Sequence, residues 1–132
     1  MKKTILMLLV GCFITTLAMS QAPAKPWPVA DKFSAVKNPV KPDGTNLKEG
    51  RDLYVTHCQS CHGKTGKGDG TKAAKLDTHP GDFTTAETQA ESDGALFYKT
   101  SEGRKDMPSF KKKIPDQDDI WSLVNYIRTL KK

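Results

Sequence analysis

The sequence predicts an all-α fold built on three main helices, and three observations carry that prediction. Ile120, Leu123, Val124, Ile127 and Leu130 form a wide apolar stripe at helical spacing near the C-terminus. Two earlier segments, beginning at Asn46 and at Asp93, carry helix start and stop residues. No segment shows the two-residue alternation of a strand, and no internal repeat or coiled-coil heptad is visible.

The first element is a leader. Lys2 and Lys3 precede a mostly apolar stretch over residues 5–19, and Ala18-Met19-Ser20 leads into Gln21. A charged start, an apolar run and a small-residue cleavage site make a secretory signal peptide. The run is too short for a bilayer span, which needs about 20 apolar residues. Residues 1–20 are read as this signal peptide, and a mature chain starting at Gln21 is expected in the periplasm or another exported location. Leu9-Val10-Gly11-Cys12 offers a second reading as a lipobox, with a lipid anchor on Cys12. Phe13, Ile14 and Leu17 weigh against it, because a lipoprotein turns polar after its cysteine.

Without the leader, three cysteines become two, Cys58 and Cys61, and four methionines become one, Met107. Loss of Lys2 and Lys3 takes the formal net charge from +6 to +4. A mildly basic chain meets acidic partners. Export and the mixing of Lys with Asp and Glu argue against nucleic acid.

Residues 21–45 hold five of the eight prolines. Proline removes a backbone donor and blocks regular helix, so this segment reads as an extended arm or linker. Trp27, Val29, Phe33 and Val36 are the residues able to pin it to a domain. The first helix starts at Asn46, a good N-cap. Leu47, Gly50, Tyr54 and Cys58 share one face, and the helix is expected to end near Cys58. Residues 63–70 form a glycine-rich loop, and residues 72–76 a short helical turn. The middle helix covers residues 93–101, with Gly103 as its stop. The last starts at Pro115-Asp116, with Asp116, Asp118 and Asp119 at its positive end and Arg128, Lys131 and Lys132 at its negative end.

Cys58-Gln59-Ser60-Cys61-His62 carries the chemistry. Cys-x-x-Cys-His is the attachment signature of c-type haem. Two thiols add across the two vinyl groups, and the histidine that follows is held beneath the iron. Other readings fit less well. A thioredoxin-like pair wants a βαβ setting, and this neighbourhood reads as helical. A Cys58–Cys61 disulfide suits an oxidising compartment. Zinc needs four ligands and would have to recruit His57 and His79. Gly63-Lys64-Thr65 resembles the end of a phosphate-binding loop, but the glycine required at position 58 is a cysteine.

Iron in haem takes a second axial group. Met107 is the first candidate, since Pro108 after it fixes an ordered, non-helical loop. His79 and His57 compete with it, and a lone methionine is also an ordinary core filler.

Together these residues resemble a known family, the class I monohaem cytochromes c. The resemblance covers residues 46–132 and rests on Cys58-x-x-Cys61-His62-Gly63, Met107-Pro108 and the paired terminal helices. It implies a cytochrome c fold, with three main helices wrapped around one covalently bound haem c and its iron. It implies Cys58 and Cys61 as the covalent attachments and His62 and Met107 as axial iron ligands. It implies a crossing of Gly50 and Tyr54 over Leu123 and Tyr126. It also implies that the Pro80 carbonyl accepts a hydrogen bond from His62. The family tryptophan that bonds a haem propionate has no match, and Trp121 reads as core.

The function implied is single-electron transfer between larger redox proteins, not enzymatic turnover. The alternative is a haem subunit tethered to a reductase or oxidase complex, with residues 21–45 as the tether. A peroxidase or gas binder with a displaceable sixth ligand is a third reading. Lys64, Lys67, Lys72, Lys75, Lys99, Lys111, Lys112 and Lys113 flank the motif loops. They are either a docking patch for acidic redox partners or a plain solvated surface.

Overall fold

A computed structural model describes residues 26–132 of the chain. The leader, the lipobox and Cys12 lie outside the described residues. Those residues form six α-helices and one 3₁₀ turn, with no strand beyond a single backbone bridge between Arg104 and Met107.

The core is the crossing of two helices. Helix α2 spans Gly44–His57, and helix α6 spans Gln117–Thr129. Asp43, not Asn46, caps α2. Its carboxylate accepts from the backbone N–H of Thr45 at 2.8 Å and of Asn46 at 2.9 Å. The Asn46 side chain accepts from the Asp43 N–H, which completes a capping box and puts Asn46 inside the first turn. The carboxylate wins because two N–H groups converge on it. Asp116 caps α6 in the same way through the Asp118 N–H.

Gly50 is where α2 and α6 meet. A Cβ there would lie 2.1 Å from the Ser122 carbonyl oxygen and 3.0 Å from the Tyr126 Cβ. The missing side chain is therefore what lets the two backbones approach. Ser122 and Tyr126 are thus the nearest groups to Gly50 across the crossing, and Leu123 is buried in the core. Tyr54 stacks at a tilt on Tyr126, with centroids 5.3 Å apart. Leu123 and Val124 are fully buried here, and each contributes about 1.5–3 kcal/mol relative to exposure.

Helix α3, Gln59–His62, follows α2 directly, with Cys58 as the hinge between them. The 3₁₀ turn is Ala73–Lys75, and α4 is Ala86–Ala90. Helix α5, Asp93–Glu102, is capped by Ser92 and stopped by Gly103 at φ 68°. Arg128 at the end of α6 pairs with Asp93 at 2.7 Å. Trp121 is buried and stacks on Phe97, with centroids 4.1 Å apart.

The proline-rich arm is docked along its described length. One helical turn, α1 at Asp31–Ser34, fits between Pro28 and Pro39, so the prolines leave more room for helix than their number implies. Phe33 stacks on Tyr98 at 4.5 Å, and Ser92 donates to the Ser34 carbonyl at 2.6 Å. Gly94 is the seat for this turn, because a Cβ on it would lie 2.3 Å from the Phe33 carbonyl oxygen. Further on, Asn38 donates to Asn125 at 2.9 Å, and Asn125 donates to the Val40 carbonyl at 2.9 Å. Among the described residues, no helix is long and apolar enough to cross a membrane.

Candidate functional site

The end of α2 and the whole of α3 carry the cysteine–histidine motif into one wall of a cleft of about 800 Å³. That volume lies in the usual range of cofactor-sized pockets, about 300–1,000 Å³. Cys58, Cys61, His62 and Met107 all line it, and so do His57, His79 and Pro80. Leu96, Phe83, Phe110 and Ile127 supply the apolar part of the wall.

The motif is held by its backbone. Cys61 and His62 both donate to the Cys58 carbonyl, which curls the segment into a turn. The glycine-rich loop then folds back over it. The N–H groups of Gly68, Gly70 and Lys72 donate to the carbonyls of His62, Cys61 and Ser60, at 2.8, 3.1 and 2.7 Å. Those carbonyls lie at the end of a helix and have no partner within it, so the loop satisfies them. Tyr54 donates its hydroxyl to the Gly63 carbonyl at 2.7 Å. Burial holds the Tyr54 hydroxyl well above its usual pKa, so it remains a donor.

His62 is buried, and its ring lies nearly parallel to Phe83 at 4.5 Å. Desolvation, with a smaller contribution from His79, pulls its pKa down to about 4, so the imidazole is neutral at physiological pH. Its Nδ1 is buried and has no hydrogen-bond partner. The bond expected from His62 to the Pro80 carbonyl is therefore not formed. The stacking on Phe83 sets the ring plane. The His79-Pro80-Gly81 turn closes on itself, with the Gly81 N–H donating to His79 Nδ1 at 3.1 Å.

The two thiols are separate, not joined as a disulfide. Burial, and then the charge of Cys61, pushes the Cys58 thiol up to about 12, so it is fully protonated at neutral pH. His57 and Phe110 meet edge to face, with centroids 5.9 Å apart.

Met107 sits on a different scaffold. Gly103 ends α5, and the chain turns so that Arg104 and Met107 exchange two backbone hydrogen bonds, at 2.7 and 3.1 Å. Lys105 lies between them at φ 54°. A non-glycine residue in that region costs about 1–2 kcal/mol. Ser109 and Phe110 tie the far side of the loop to the carbonyls of Ser101 and Thr100.

The arm reaches the cleft as well. Trp27 and Pro26 line it beside Arg104 and Lys99. The Arg104 guanidinium lies 4.5 Å from the Trp27 ring centroid and donates to the Pro26 carbonyl at 2.8 Å. Lys99 lies 5.8 Å from the Trp27 ring centroid and forms an ion pair with Glu91, and Lys111 pairs with Glu102. Lys99 is largely covered in its pair, whereas Lys111 stays solvent-exposed. Lys64, Lys67, Lys72 and Lys75 remain exposed around the glycine-rich loop.

Sequence reasoning missed Phe83 as the stacking partner, the loop amides on the motif carbonyls, and the contact of Trp27 with Arg104. The loop was signalled by glycines at 63, 66, 68 and 70, of which the first three adopt positive φ. The other two contacts left no local pattern.

Two thiols, a neutral imidazole with an unsatisfied Nδ1, and a thioether around one apolar cleft fit haem c. An all-α frame with this donor set defines a cytochrome c-like protein. The family model for cytochrome c oxidase, cbb3-type, subunit III matches residues 45–127, and the chain belongs to that family. Two solved structures have the same fold. A chain of the Kuenenia stuttgartiensis reducing HAO-like protein complex Kustc0457/Kustc0458 is 28% identical with a TM-score of 0.65, over 83% of this chain and 52% of that one. This chain thus spans about half the length of that relative. That coverage exceeds residues 46–132, so the likeness extends into the arm. The KustC0563 c-type cytochrome is 33% identical with a TM-score of 0.56, over 63% of this chain and 98% of that one. No curated protein sequence matches.

Proposed function

We propose that this chain is a monohaem c-type electron-transfer unit working as a subunit of a larger redox assembly. The observation that supports it most is the meeting of Cys58, Cys61, His62 and Met107 around one cleft. The matched oxidase-subunit family and the complex-derived relative support the assembly over a free shuttle.

When bound, haem c would supply one reversible Fe(III)/Fe(II) couple. Cys58 and Cys61 would tether it, and His62 and Met107 would ligate its iron, as in the class I cytochromes c. The neutral His62 needs no deprotonation to act as a ligand. Phe83 fixes the plane of its ring. The apolar wall around Leu96, Phe110 and Ile127 would keep water from the bound group and so limit reorganisation when its charge changes. Residues 1–20 export the chain, 21–45 form the arm, and 46–132 are the cytochrome domain. Lys64, Lys67, Lys72 and Lys75 face acidic partners, so association with the redox partner slows as salt rises.

A pyridine haemochrome assay on denatured, purified protein tests this reading. Haem that stays with the chain through acid–acetone extraction is expected. Haem-free protein from a host competent in cytochrome maturation would overturn it. Met107→Leu is expected to abolish the thioether–iron charge-transfer band of the oxidised protein and lower the potential. Carbon monoxide binding by the unmutated protein at neutral pH would favour the gas-binding or peroxidase reading. Isolation from the native host under mild salt decides between subunit and shuttle: co-purification with larger redox chains is the expected result.

A further inference from the structure

The arm does more than lie on the surface, because one of its residues reaches the site. Trp27 lines the cleft and is half-buried there. Its partner Arg104 holds it twice, by cation–π stacking on the ring and by a hydrogen bond to the Pro26 carbonyl. Arg104 is also the residue whose backbone closes the Met107 turn through both of its hydrogen bonds. That turn contains Lys105 in a left-handed conformation, so it needs support from outside itself. The arm is fixed in turn at Gly94, Tyr98 and Asn125. A continuous path therefore runs from the anchored arm through Trp27 and Arg104 to the backbone of Met107.

We infer that Trp27 is a positioning residue for Met107, a strap that holds the methionine loop closed by clamping Arg104. The inference rests on the haem reading above and on Met107 as axial ligand. Removing the ring takes away one of the contacts that hold Arg104, the strained turn is held less firmly, and the thioether is more readily displaced. The α2–α6 crossing lies on other residues, so the global fold survives the change.

The test uses the haem-loaded protein and its variants Trp27→Leu and Trp27→Phe. A haemochrome assay on each sample comes first, and its failure in the unmutated protein overturns the haem reading itself. Absence of the thioether–iron band in the unmutated protein overturns the ligand assignment. With both present, imidazole is titrated against the oxidised protein and displacement of the band is followed. Trp27→Leu is expected to raise the affinity for imidazole on the order of ten-fold, the size of a lost cation–π contact. Trp27→Phe, which keeps a ring for Arg104, is expected to restore most of the resistance. Helicity and the denaturation midpoint followed by far-ultraviolet circular dichroism are expected to change little. Equal imidazole affinity in Trp27→Leu and the unmutated protein would overturn the inference. A leucine variant whose imidazole affinity rises only in step with loss of helicity would overturn it too.

Discussion

His62 and Met107 line the same cleft from segments that are held in different ways. His62 ends a short helix that continues from α2, and its carbonyl, its neighbours and its ring are each secured: by the glycine-loop amides, by the Tyr54 hydroxyl through Gly63, and by Phe83. Met107 hangs from a four-residue turn with one left-handed lysine, supported by backbone pairing and by the arm. The first side draws its order from the buried helix crossing. The second draws it from the strained turn and the arm on one side and from Phe110 in the core on the other. Local opening starts where few buried contacts hold the chain, so the methionine side is the one that yields first.

Four substitutions bear on that contrast. Gly50→Leu forces a side chain into the Ser122 backbone, so the crossing itself must open. A loss of more than about 3 kcal/mol is expected, with both sides of the cleft failing together in chemical denaturation. If only the Met107 band were lost, the crossing would not be the support of the His62 side. Tyr54→Phe strands the Gly63 carbonyl in a buried place. It is expected to cost about 1–2 kcal/mol in the denaturation midpoint, while imidazole displacement of Met107 stays as before. Lys105→Gly removes the left-handed strain but gives the unfolded chain more freedom. A net gain of about 0.5–1 kcal/mol is expected, read as greater resistance of the methionine band to denaturant, with no change at His62.

Glu49→Gln has the smallest expected effect. Asp119 is the main cause of the raised Glu49 pKa, with Asp116 and Asp52 adding to it. A carboxyl raised in the folded state binds more protons there than in the unfolded chain. The native charge cluster is therefore worst above the folded pKa, and stability recovers as pH falls through it. The group is solvent-exposed, so screening limits the gain from Glu49→Gln to about 0.2–0.5 kcal/mol at neutral pH. That advantage should vanish in mildly acidic solution.

The His62 side was far more legible in the sequence than the Met107 side. The motif announces itself in five consecutive residues, and the α6 stripe and its Asp116 start read directly from spacing. Gly103 stops α5 as its type requires. Local rules misplaced the start of α2, because Asn46 and Asp43 are both good caps and only the converging N–H groups decide between them. The resemblance supplied a Pro80 carbonyl bond that the His79–Gly81 turn and the Phe83 stack do not make. The arm was legible as proline-rich, with Trp27 and Phe33 among the residues able to pin it, but their partners were not. What seats it are contacts across 58 to 87 residues of sequence, such as Ser92 with Ser34 and Asn38 with Asn125. No periodicity within the arm encodes them. Lys99 and Lys111 were read as free surface charges, and their acidic partners on α5 and beside it became visible only in three dimensions.

The seat at Gly94 has a consequence for how the chain comes together. Most partners that fix the described arm lie between residues 92 and 125, in helices α5 and α6 or at their ends, and Asn46 on α2 adds a hydrogen bond to the Lys41 carbonyl. The arm leaves the ribosome before all of them. Most of its seat is on α5, far along the chain, and closing so long a loop carries an entropic delay. The arm thus seats only after α5 has formed, and the methionine loop remains unclamped until it does.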